Sequence, residues 1–137
     1  MKGIILAGGT GSRLTPLTKV TNKHLLPVGR FPMIVHSVNK LASAGVKDIM
    51  VITGTEHMGD MITLLGSGYD YGCNFTFRVQ DRPDGIAGAL LLCEDFAKND
   101  SVVVILGEYQ YKAAFVADQE INMLACLTEI MARGKFK

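Results

Sequence analysis

Lys2-Gly3-Ile4-Ile5-Leu6-Ala7-Gly8-Gly9-Thr10-Gly11-Ser12-Arg13-Leu14 decides how this chain is read. The apolar run Ile4 to Ala7 reads as a buried strand that empties into a loop holding Gly8, Gly9, Gly11 and Arg13. Glycine lets the backbone take positive φ and approach a ligand with no β-carbon in the way. Consecutive amide N–H groups in such a loop converge on phosphate oxygens, and Arg13 adds a permanent planar charge. A second cation, Lys23, follows, and then Leu25-Leu26-Pro27-Val28. A glycine loop alone could equally be a strand-to-helix turn. With the two cations, the pattern points to a nucleoside triphosphate site.

Two common phosphate signatures are excluded by residue. The dinucleotide fingerprint, counted from Gly9 and Gly11, needs a third glycine where Leu14 stands. The P-loop needs a glycine followed by lysine and a hydroxyl residue, whereas Gly134-Lys135 is followed by Phe136.

Further along, apolar runs alternate with helical patterns. Pro32 opens a helix in which Ile34, Val38, Leu41 and Ala42 recur at helical spacing until Gly45 stops it. Ile49 to Ile52 reads as a central buried strand, and Glu56 to Leu65 as a helix closed by Gly66. Phe75 to Val79 alternates as a third strand, Ile86 to Phe96 forms a helix, and Val102 to Leu106 is a fourth strand. These repeats predict an α/β fold: a Rossmann-like open parallel sheet with helices on both faces, in three layers. The glycine loop, the segment after Val79 and the segment after Leu106 then all follow the carboxyl ends of strands. Ligands bind there in open α/β sheets, where the strand order reverses.

Composition narrows the partners. The chain has 137 residues, 48% of them hydrophobic, and a formal net charge of +1, so a single domain over residues 1–137 is expected. The charge balance gives no case for nucleic acid or membrane binding. No apolar run approaches the ~20 residues of a membrane span. The N-terminus lacks the succession of a secretory signal, which implies a cytoplasmic protein. Cys73, Cys93 and Cys126 are odd in number and form no C-x-x-C pair, so they read as small buried hydrophobes rather than zinc or redox ligands. No histidine-carboxylate-serine arrangement suggests a nucleophile.

The stretch Gly8-Gly9-Thr10-Gly11-Ser12-Arg13-Leu14-Thr15-Pro16-Leu17-Thr18, with Lys23-His24-Leu25-Leu26-Pro27-Val28 and Pro32-Met33-Ile34, resembles the opening of the sugar-1-phosphate nucleotidylyltransferases. Within them the similarity is greatest to the glucose-1-phosphate thymidylyltransferases. Val79-Gln80-Asp81-Arg82-Pro83-Asp84-Gly85-Ile86-Ala87 resembles that family's base-recognition segment. Val103 to Gly107 resembles the strand leading to its metal-binding aspartate. The resemblance covers residues 1 to about 107 and weakens sharply over 108–137.

The resemblance implies transfer of a nucleotidyl group from dTTP, or UTP, to a sugar-1-phosphate such as glucose-1-phosphate, with release of pyrophosphate. Arg13 would neutralise the triphosphate, and Lys23 would sit near the reacting phosphoryl group. Leu6, Gly8, Gly9, Thr10, Gly11, Ser12 and Arg13 would line the nucleotide site. Gln80, Pro83 and Gly85 would face the base, since an amide offers both a donor and an acceptor to thymine or uracil. Gly85 has a second reading, in which Asp84-Gly85 simply caps a helix. His24, inside the signature, is either a plain side chain or part of the site wall.

The implied cofactor is Mg²⁺, but Glu108 stands where the family has its ligand aspartate. Glutamate carries the carboxylate one methylene farther, and Mg²⁺ tolerates little misplacement. Asp118 could cap a helix from Gln119 to Arg133, apolar around much of its surface, that packs on the sheet or on another subunit. Family members are about twice as long, and a homo-oligomer is expected. The alternative is a truncated or non-catalytic nucleotide-binding or assembly module of the same fold.

Overall fold

The structure, a computed structural model, describes residues 1–106. The chain runs through β1 (Lys2–Ala7), β2 (Pro27–Val28), β3 (Phe31–Pro32), α1 (Met33–Ser43), β4 (Asp48–Thr53) and α2 (Met58–Leu65). It continues through β5 (Asn74–Val79), α3 (Gly85–Leu91), α4 (Glu94–Ala97) and β6 (Val102–Leu106). The main sheet has the order β5-β4-β1-β6, and every pairing in it is parallel. Ile5 lies between Val51 on one side and Ile105 on the other.

Alternation along the strands divides the interior into two layers. Ile5, Ala7, Ile49 and Val51 pack with Ile34, Val38 and Leu41 of α1 and with Met61 and Leu65 of α2. Ile4, Met50 and Ile52 face the other way, against Ala89 of α3 and Cys93. The predicted three-layer arrangement is therefore present. Burial on both faces explains why β1 and β4 read as unbroken apolar runs. Each fully buried Ile or Val contributes on the order of 1.5–3 kcal/mol relative to exposure. Among the described residues β5 lies at one end of the sheet: Phe75 and Phe77 pack inward, while Thr76 and Arg78 are exposed.

Helix boundaries follow local chemistry. Past α1, Gly45 takes φ 81°, its N–H donates to Ala42 and that of Val46 to Leu41. This paired return to the last turn is the usual use of a left-handed glycine. α2 begins at Met58, two residues later than predicted from Glu56. The single helix predicted over Ile86 to Phe96 is instead α3 and α4. At the break the Cys93 N–H bonds to Leu90, three residues back, which tightens the turn and keeps both Ala89 and Cys93 inward. The antiparallel pair β2–β3 was not foreseen, because each strand has only two residues.

From β1 the chain steps to β4 and β5 on one side, then returns to β6 on the other. The reversal falls between β1 and β6, where the glycine loop leaves Ala7.

Candidate nucleotide site

The three glycines of the loop serve different ends. Gly11 takes φ 63°, and a β-carbon there would lie 2.8 Å from Thr18 Cγ2 and 3.1 Å from Lys23 Cβ. The Thr18 hydroxyl donates to the Gly11 carbonyl at 2.8 Å, closing this part of the loop. Gly8 has no positive φ, but its missing side chain leaves room for a neighbour: a β-carbon would stand 3.0 Å from Gln80 Oε1 and 3.7 Å from Gly54 N. Around Gly9 a β-carbon would meet nothing within 4 Å among the described residues. No described residue therefore fills the space beside Gly9.

Behind the loop lies a buried polar strut that the sequence reading passed over. Asn22 Nδ2 donates to the carbonyl of Ala7, the last residue of β1, at 2.9 Å. Its Oδ1 accepts from the His24 backbone N–H at 2.8 Å and pairs with His24 Nδ1 at 2.9 Å. Asn22 is the cap of the short turn Lys23–Leu25, a position where asparagine satisfies otherwise unpaired N–H groups. An asparagine two residues before a histidine, ahead of an apolar run, was the available signal.

His24 is therefore an internal brace and not part of an exposed wall; it is 1% exposed. Because Asn22 Nδ2 is committed to Ala7, its Oδ1 faces the ring, so Nδ1 carries the proton. Burial, with Lys23 adding like charge, lowers the His24 pKa from 6.5 to about 3. The ring stays neutral, and its Nε2 is a buried acceptor with no partner among the described residues. Lys23, held between the two braced residues, has its Cβ beside Gly11 and its side chain half-buried.

Gln80 follows β5, and its backbone N–H donates to Thr53 at 2.8 Å. Its side-chain Nε2 donates to Asp84 Oδ1 at 2.5 Å and to the Gly85 carbonyl at 3.1 Å. Asp84 precedes α3 but makes no side-chain cap bond, so helix capping does not account for this pair. Gly85 takes φ 84°, which glycine adopts without strain.

The structure thus joins Gly8 to Gln80, and Gly11 to Lys23. Leu6 is half-buried on β1. Gly9, Thr10, Ser12 and Arg13 are exposed, with Ser12 and Arg13 on the turn Ser12–Leu14. Pro83 and Gly85 are exposed beyond β5. Glu108, Cys126 and the helix expected over 119–133 lie outside the described residues. Among the described residues, no group of three His, Cys, Asp or Glu gathers as a metal site. They do not by themselves fit Mg²⁺. No described helix is long and apolar enough to cross a membrane.

Known proteins resemble this chain in sequence and in fold. A family profile described as Nucleotidyl transferase matches residues 2–120. The glucose-1-phosphate thymidylyltransferase of Neisseria meningitidis is 47% identical over 108 residues, covering 79% of this chain and 38% of that protein. The low-salt glycan biosynthesis nucleotidyltransferase Agl11 of Haloferax volcanii is 41% identical over 116 residues, covering 85% of this chain and 32% of its own length. A Bacillus anthracis crystal structure with bound sucrose, provisionally described as a glucose-1-phosphate thymidylyltransferase, superposes with a TM-score of 0.76 at 69% identity. It covers 78% of this chain and 44% of that one. A UDP-glucose pyrophosphorylase complexed with UDP-glucose superposes with a TM-score of 0.65 at 26% identity. The chain spans less than half the length of the relatives it matches.

Proposed function

The chain belongs to the nucleotidyl transferase family, and on that premise we propose that it binds dTTP, or UTP, as the nucleotide-binding portion of a sugar-1-phosphate nucleotidylyltransferase. The observation that carries this reading is the contact between the glycine loop and Gln80. A loop suited to phosphate and a side chain suited to a base edge meet at the carboxyl end of a parallel sheet. Ligands occupy that end at the point of strand reversal.

In the proposed reaction a phosphate oxygen of glucose-1-phosphate attacks the α-phosphorus of the nucleotide. A new P–O bond forms in line as the bond to the β-phosphate oxygen breaks, and pyrophosphate leaves with that electron pair. No protein nucleophile is required; positioning and charge neutralisation lower the barrier. Arg13 forks onto the departing phosphate oxygens, and Lys23 places a compact charge near the reacting phosphorus. Asn22 and His24 hold the Lys23 backbone against the end of β1. Mg²⁺, implied by the resemblance, would be held through Glu108 and would add positive charge at the phosphates.

A nucleotide-binding or assembly module without turnover is the second reading, favoured by Glu108, which stands where the resemblance has a ligand aspartate. Pyrophosphate release from dTTP and glucose-1-phosphate separates the two. Product above background supports the transferase; dTTP binding without product supports the module.

A further inference from the structure

We propose that Asp84 is a specificity-determining positioning residue that locks the Gln80 amide with its oxygen toward the glycine loop, so that the site takes a base offering a ring N–H. The proposal rests on the nucleotide reading of the site and goes beyond it by naming what sets the base class. Gln80 Nε2 donates to Asp84 Oδ1 and to the Gly85 carbonyl. Both partners on that side only accept, so the amide nitrogen must be the atom that faces them. Its two hydrogens are then both committed. Oε1 is left on the side of Gly8, 3.0 Å from where a β-carbon of that residue would stand.

An amide fixed this way presents an acceptor and nothing else. Thymine and uracil carry N3–H and can donate to it. Cytosine carries a bare lone pair at N3, which would face the lone pairs of Oε1. A freely rotating glutamine could turn its NH₂ toward cytosine; one held by Asp84 cannot. The site therefore discriminates between pyrimidines through a residue that need not touch the base.

Room for the carboxylate comes from Gly88. A β-carbon built on Gly88 would collide with the Asp84 side chain at Cγ and both carboxylate oxygens. Gly88 has no positive φ and lies in α3, so alanine is compatible with its backbone. Gly88→Ala should therefore displace Asp84 while leaving Asp84 and Gln80 chemically intact.

The test is calorimetric titration of the whole chain with dTTP and with CTP, for the unsubstituted protein, Asp84→Ala, Asp84→Asn and Gly88→Ala. The unsubstituted chain should favour dTTP by about tenfold or more, and both Asp84→Ala and Gly88→Ala should shrink that preference by about fivefold. Asp84→Asn should keep it, because its side-chain oxygen accepts the same bond. An unchanged preference in both alanine variants, or an equal loss for the two nucleotides, would overturn the role of Asp84. Failure of the unsubstituted chain to bind either nucleotide would instead overturn the nucleotide reading, and this role with it.

Discussion

Gln80 Oε1 stands 3.0 Å from the point a β-carbon on Gly8 would occupy. These residues are far apart in sequence, at the ends of β5 and β1, and the parallel sheet brings them together through β4. Gly8→Ala should press on Gln80 and weaken dTTP binding. Gly9→Ala meets no described residue and has no positive φ, so it should leave the melting temperature nearly unchanged. A marked loss of triphosphate affinity in Gly9→Ala, without loss of stability, would show that a ligand needs the space. Paired thermal melts and titrations read both effects.

Arg13 is exposed, so Arg13→Ala should leave the fold intact. Lys23→Met keeps an apolar stem beside Gly11 and removes the ammonium group. Each substitution should lower triphosphate affinity by about tenfold or more, the ~1.5–3 kcal/mol of a hydrogen bond to a charged group. Full affinity in the double variant would place the triphosphate elsewhere.

Asn22→Ala strips partners from the Ala7 carbonyl, the His24 N–H and the His24 ring together. Leaving buried polar groups unsatisfied should cost about 3 kcal/mol or more of folding stability. Urea denaturation measures it, and a loss under 1 kcal/mol would mean the strut is not structural.

Acid should destabilise the chain through His24. Its folded pKa is lowered to about 3 from 6.5, so between those values the unfolded chain takes up a proton that the folded one refuses. The contribution is complete above about pH 6.5 and is lost as pH falls toward 3, with a slope of up to ~1.4 kcal/mol per pH unit. His24→Asn keeps a donor near Nδ1 but cannot titrate. Its stability curve should be flatter over that window, and parallel curves for the two proteins would contradict the account.

Much of the scaffold was legible because its signals are local. Ile4 to Ala7 and Ile49 to Ile52 are apolar without interruption, as strands covered on both faces must be. Gly45 and Gly66 ended their helices where the periodicity stopped. The break at Leu92 and Cys93 was not legible, since the apolar pattern runs through it and only packing on Ile4, Met50 and Ile52 selects the tighter turn. Within the site, the glycine loop and Gln80 stood out as residue types. The Asn22 strut and the Asp84 clamp did not. Their meaning lies in what they touch, and asparagine or aspartate before a short helix reads first as a cap.

The most direct test is calorimetric titration of the purified chain with dTTP, UTP and GTP, with and without Mg²⁺. Binding of dTTP and UTP in clear preference to GTP is the predicted result, and it would establish the loop and Gln80 as a working nucleotide site. Absence of binding by any triphosphate would contradict it, leaving a nucleotidyl transferase fold whose site does not hold a nucleotide.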